Sequence, residues 1–188
     1  MDFFRSHSAR RREVRKSVTK AINGTRRSDR IRLIWWLVFF VAFTLVGGLI
    51  AVSGNLVIEF NPSIELIEDL SNLRTVGGDL IINNNLRLEK IEDMSGLQEV
   101  GGNLSIGENA LLDMIEDMSG LGSVGQDLNI YSNKRLTSLV GLANLALVGG
   151  NLNIYNNEKL TDLEGLERLA QVGKDLNIYD NEKLADLI

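Results

Sequence analysis

From residue 52 onward, apolar and polar positions recur with a period of 24. Val stands at 52, 76, 100, 124, 148 and 172, Leu at 56, 80, 104, 128, 152 and 176, and Ile at 58, 82, 106, 130, 154 and 178. Asn follows at 61, 85, 109, 133, 157 and 181. Six copies, the last incomplete, keep these four positions without exception. A fixed period of this length is the signature of a solenoid in which each copy makes one coil.

Two rhythms run within each copy. Leu152 and Ile154 alternate with Asn151, Asn153 and Tyr155, which predicts a half-buried strand. Leu160, Leu163, Leu166, Leu169 and Val172 then recur at every third residue. That spacing suits tight turns and short 3₁₀ pieces better than a regular α-helix, and Gly96, Gly120, Gly141 and Gly165 within it also oppose a long helix. Gly149-Gly150 and its equivalents predict the corner before the next strand. One coil cannot bury its own leucines; stacked coils bury them against each other. The expected fold is therefore mainly β, a parallel β-solenoid with equivalent strands ~4.8 Å apart, so that five steps make a stack ~24 Å tall.

The invariant Asn61, Asn85, Asn109, Asn133, Asn157 and Asn181 are expected to be structural. They fall where the strand turns inward and backbone groups lose their partners. A side-chain amide has both donors and an acceptor to replace them, and stacked copies can form a ladder.

The phrase "VGGNLNIYNNEKLTDLEGLERLAQ", with its Leu-x-Ile-x-x-Asn core and spaced leucines, resembles a leucine-rich repeat. It is similar to the receptor L domain, the ligand-binding solenoid of insulin- and EGF-receptor ectodomains, also found in fungal cell-surface proteins. The resemblance covers residues 52–188. It implies a right-handed solenoid used in recognition. It does not imply a kinase. The disulfide-linked ends or Cys-rich modules common in that family are absent, because the chain has no Cys.

Ahead of the repeats lies "LIWWLVFFVAFTLVGGLIAV", Leu33 to Val52, without a charge. Twenty helical residues at 1.5 Å each span ~30 Å, the thickness of a bilayer core. Trp35 and Trp36 stand at one end, where indoles favour the interface. A transmembrane helix over 33–51, acting as a signal anchor, is expected. A cleavable signal peptide fits less well, because the preceding segment and the apolar run are both too long.

Charge divides the chain at the same place. Residues 1–32 hold eleven of the twenty Lys and Arg and three of the twenty-five acids, a net +8; the remainder is −13. The positive-inside rule assigns 1–32 to the cytoplasm as a basic tail and the solenoid, 52–188, to the cell surface or a lumen. The tail's charges also suit anionic headgroups. Its Arg- and Ser-rich, acid-poor composition is also that of transit peptides, which makes a mitochondrial inner-membrane anchor the minority reading. Nucleic-acid binding is not expected of an acidic folded part.

The strand positions facing away from the core supply the candidate binding surface. In the last three copies they read Asn129, Asn153 and Asn177 in one row and Tyr131, Tyr155 and Tyr179 in the next. Rigid Tyr with adaptable Asn is a recognition composition. The same stacks can instead simply stabilise the sheet. Val57, Ile81 and Ser105, with Glu59, Asn83 and Gly107, take these places in the early copies, which assigns a site to the later half. A second row, Glu68-Asp69, Glu92-Asp93 and Glu116-Asp117, is expected to splay into water; a shared Ca²⁺ is the alternative, without the loop of a known calcium repeat.

No catalytic set is visible. The one His is His7, and no Cys nucleophile, metal-ligand cluster or phosphate loop accompanies it. No cofactor or metal is expected. Asn103-Leu104-Ser105 and Asn23-Gly24-Thr25 are glycosylation sequons. Ile188 falls partway through the sixth copy, so Leu176, Ile178, Leu184 and Leu187 are expected to border an exposed core edge. Either the sequence is a fragment, or the edge pairs with a second chain as a homodimer. The function expected is a non-catalytic, membrane-anchored recognition module for a protein ligand. A glycan ligand comes next, and the rival class is a structural element that self-associates.

Overall fold

A computed structural model describes residues 49–185. The basic tail, all but the last three residues of the expected span 33–51, and Leu187 lie outside them. Among the described residues no helix is long and apolar enough to cross a membrane.

The described chain is a parallel β-solenoid of stacked 24-residue coils. Three sheets run along it. The longest strands, Leu56–Glu59, Leu80–Asn83, Leu104–Gly107, Leu128–Tyr131, Leu152–Tyr155 and Leu176–Tyr179, form one six-stranded sheet. Leu56 pairs with Leu80, Leu80 with Leu104, and so on to Leu152 with Leu176, so the repeat period is also the register. A second six-stranded sheet stacks two-residue strands around the invariant valines, from Ala51–Val52 to Gln171–Val172. Leu66–Ile67, Lys90–Ile91 and Met114–Ile115 make a third, short sheet.

Ala51 pairs with Thr75 and Leu49 packs on the core, so the solenoid begins before Val52. This corrects the boundary drawn from hydropathy, which assigned Ala51 to the span. A strand of a buried solenoid and a membrane segment are both apolar, so hydropathy alone does not separate them where they adjoin.

The core runs the length of the stack. In the second coil Leu80, Ile82, Leu88, Ile91, Met94 and Leu97 are completely buried, and the equivalents in the third and fourth match them. Each such side chain contributes roughly 1.5–3 kcal/mol by leaving water. Burial lessens at both ends: Leu56 and Ile58 are half-buried, and Leu176 is 57% exposed. Ile178 and Leu184, expected at an open edge, are half-buried.

The leucines at every third residue lie mostly in turns, closed by bonds such as Leu97 N–H to the Met94 carbonyl at 2.9 Å. Val140–Leu142 alone forms a 3₁₀ turn among the described residues. It replaces the third sheet in the fourth coil, where that sheet ends in a single bridge between Met114 and Ser138. The corner before each long strand after the first requires glycine; a Cβ at Gly101, for example, would overlap the Gly77 carbonyl one coil below.

Candidate functional site: the Asn and Tyr rows

The outer face of the long-strand sheet carries both predicted rows, and the structure brings each together. Tyr131 and Tyr155 stack with ring centroids 5.3 Å apart and planes 13° from parallel; Tyr155 and Tyr179 stack at 4.9 Å and 4°. The spacing follows from the strand spacing of ~4.8 Å, which places identical side chains in register. Below Tyr131 stands Gly107, where any Cβ would run into the Tyr131 ring. The stack therefore starts by leaning over a bare backbone position. Burial is the first cause that raises the Tyr131 and Tyr155 phenols above the ordinary range; neighbouring Tyr179 and Tyr131 add to it for Tyr155.

The asparagine row bonds to itself. The Asn153 amide donates to Asn129 Oδ1 at 2.7 Å, and Asn177 donates to Asn153 Oδ1 at 2.8 Å. In the earlier coils Asn83 and Ser105 exchange weaker bonds of 3.2 and 3.3 Å instead. Asn129, Asn153, Tyr131 and Tyr155 are half-buried, and Asn177 and Tyr179 exposed. Two self-satisfied rows side by side make a rigid, flat strip that presents phenol edges and amides. It presents few aromatic faces, since both faces of Tyr155 are covered.

The buried asparagines do what their position demands. Asn85, Asn109, Asn133 and Asn157 are completely buried. Asn133 Oδ1 accepts the Asn109 backbone N–H at 3.2 Å, and its amide donates to the Ile106 carbonyl at 2.9 Å. The same pair of bonds recurs for Asn85, Asn109, Asn157 and Asn181. Asn61, at the first coil, turns its amide to the Glu59 carbonyl at 3.0 Å.

Three features escaped the sequence reading. The residue before each ladder asparagine is left-handed, with φ from 54° to 56° at Phe60, Asn84, Glu108, Ser132, Asn156 and Asp180. No single residue type marks it. A further row precedes each long strand and alternates strictly: Asn55, Asp79, Asn103, Asp127, Asn151, Asp175. Asp79 Oδ1 accepts both the backbone N–H of Asn103 at 2.7 Å and its side-chain amide at 3.0 Å. Here the signal was present, at twice the repeat period. Finally, the acidic row is not left wholly to water. The Lys90 ammonium lies 3.6 Å from Glu92 and 3.5 Å from Glu116, and Glu116 foremost raises its pKa. Asp93 accepts the Asp69 backbone N–H at 3.3 Å. Among the described residues no group of three metal-ligating side chains converges.

The far end of the stack carries an apolar groove of about 350 Å³, lined by Leu152, Leu163, Leu166, Leu169, Val172, Leu176 and Ile178. Comparison with protein-family models, curated proteins and solved structures returns no match for this chain.

Proposed function

We propose that this chain is a non-catalytic, membrane-anchored recognition module. Its solenoid resembles a right-handed leucine-rich, receptor-L-domain-like repeat and offers the Asn129–Asn153–Asn177 and Tyr131–Tyr155–Tyr179 strip to a protein ligand. In this reading the apolar run from Leu33 up to the first coil anchors it in the bilayer, the basic tail is cytoplasmic and the solenoid lies outside the cytoplasm. The observation that carries it is the internal order of the strip: rings stacked at 4.9–5.3 Å beside amides bonded at 2.7–2.8 Å. Side chains already fixed in the free protein cost little entropy to bind with. Protein is favoured over glycan because sugars pack on aromatic faces, and stacking consumes most of these.

A photoreactive residue in place of Tyr155, in the full chain in living cells, tests the reading. Adducts with another protein, lost when Tyr131 and Tyr179 are changed to alanine, are expected. An equal yield from a photoreactive residue at exposed Thr137 would defeat it. Adducts only between copies of the chain would favour a second reading, a self-associating structural element, for which the Leu163–Leu176 groove is the supporting surface. Antibody access to a terminal tag in intact cells, against permeabilised ones, tests surface display.

A further inference from the structure

Three positions of the coil change chemistry along the stack, all in one direction. The outward strand position reads Val57, Ile81, then Ser105, Asn129, Asn153, Asn177. The left-handed position reads Phe60, then Asn84, Glu108, Ser132, Asn156, Asp180. Two residues on, it reads Pro62, Leu86, Ala110, then Lys134, Glu158, Glu182. Every apolar member belongs to the first three coils. Val57 is 50% exposed, Phe60 68% and Leu86 59%.

Phe60 is the most telling. Its φ of 55° is a conformation that favours Asn, Asp and Gly and disfavours a bulky side chain. Its ring takes no part in the buried core or among the side chains packed against it. The left-handed backbone recurs in all six coils and serves the turn, but the exposed aromatic ring serves nothing within the coil. An exposed aromatic ring at a position that is polar in the five later coils points to a contact outside the fold.

What lies outside is written in the chain. The uncharged run Leu33–Val52 leads without a spacer into the first coil, where Leu49 already packs on the core. Whatever phase holds that run therefore reaches to within a residue or two of the coil that carries Val57 and Phe60. Val57 stacks on Ile81 by register, so the apolar face continues into the second coil. At its rim stand Glu59 and Arg87, the latter ion-paired with Glu65, charges that headgroup water accommodates.

We propose that the Val57, Phe60 and Leu86 face rests in the interfacial layer of the bilayer that anchors the chain, so that the solenoid leans on the membrane instead of standing clear of it. The proposal rests on the membrane-anchored reading. The polar strip lies on the same sheet face three or more coils farther along the stack, so it stands beyond the apolar footing. An aromatic ring with flanking aliphatic groups is the composition that interfacial sites take up.

The chain has no Cys, so single cysteines at 57, 60, 132 and 156 of the full protein can each carry a nitroxide. The probe is a phosphatidylcholine vesicle, chosen neutral because the solenoid is acidic. Flotation establishes insertion, and thermal unfolding of each labelled variant establishes the fold. Collisions with oxygen and with a water-soluble nickel complex are then compared. The oxygen-to-nickel ratio at 57 and 60 is expected to exceed that at 132 and 156 by roughly tenfold, as for groups ~5–10 Å into the headgroup boundary. Equal ratios in a floating protein overturn the proposal and leave the anchor standing. Exclusion of both reagents at 57 and 60 also overturns it, because a protein surface then covers the face. Failure to float removes the anchored reading and this proposal together.

Discussion

The Asp127 carboxylate accepts two hydrogen bonds from Asn151 one coil on, at 2.7 Å from the backbone N–H and 3.2 Å from the side-chain amide. Asn103 repeats the arrangement with Asp79 below, while its own Oδ1 accepts the Asp127 N–H at 3.0 Å. The alternation keeps any two carboxylates of the row two coils apart. Asn103→Asp retains that acceptor but removes a donor, and sets three carboxylates in succession ~4.8 Å apart. It should cost about 1–3 kcal/mol, partly recovered in high salt. Asp127→Asn removes no donor and should stay within ~0.5 kcal/mol of the parent. Urea unfolding of both variants measures the asymmetry, and equal losses would refute it.

Removing a buried ladder amide should be far more costly. Asn133→Ala takes the side-chain partner from the Asn109 N–H and from the Ile106 carbonyl. At about 1–3 kcal/mol for each orphaned group, a loss of roughly 2–5 kcal/mol is expected. Asn61→Ala, at the half-exposed first coil, should cost less than about 1 kcal/mol. Chemical denaturation followed by far-UV circular dichroism gives both values.

Gly107 sets where the tyrosine stack begins, so Gly107→Ala should unseat Tyr131 while leaving the sheet paired. The expected loss is about 1–2 kcal/mol, with the near-UV tyrosine signal changed and the far-UV signal kept. An unchanged near-UV spectrum would mean that the stack does not depend on the bare position.

Alkali should weaken the fold through the same strip. Burial raises the Tyr131 and Tyr155 phenols, so the folded state holds these protons more tightly than the unfolded chain. Their contribution is fully present below the ordinary tyrosine pKa of about 10 and is lost as pH rises through the folded values. Lys90, raised by Glu116 and Glu92, adds a loss of the same sign above its ordinary value of 10.5. Unfolding midpoints should be level up to about pH 9 and fall beyond it, less steeply in Tyr131→Phe and Tyr155→Phe.

Asn103 is spoken for by the fold. Its side-chain nitrogen, the atom a glycan would occupy, donates to Asp79 at 3.0 Å, and Leu104 and Ile106 beside it are completely buried. Secreted from a eukaryotic host, the protein should show no added mass on the peptide containing Asn103. A glycan there would mean that modification precedes coil formation.

Much of this architecture could be read from the sequence because the repeated Val, Leu, Ile and Asn meet the same demand in every coil. An inward aliphatic side chain or a backbone group wanting an amide leaves no other choice. The left-handed turn leaves several, which is why Phe60, Glu108 and Ser132 hide it. Lys90 was invisible for another reason. Its partners Glu92 and Glu116 sit in different coils, and only the stack shows that one ammonium reaches both. The Asn and Tyr rows were legible as surface; that each row binds itself was not, because the sequence does not say which way an amide points.

The alternating Asn and Asp row also governs how the protein can change length. Excising one coil preserves every apolar register and every buried asparagine, yet brings Asp against Asp or Asn against Asn at the splice. Excising two restores the order. The solenoid thus has two grammars, one for its core that counts coils singly and one for its flank that counts them in pairs, and a lineage or an engineer shortening it without penalty would have to obey the second.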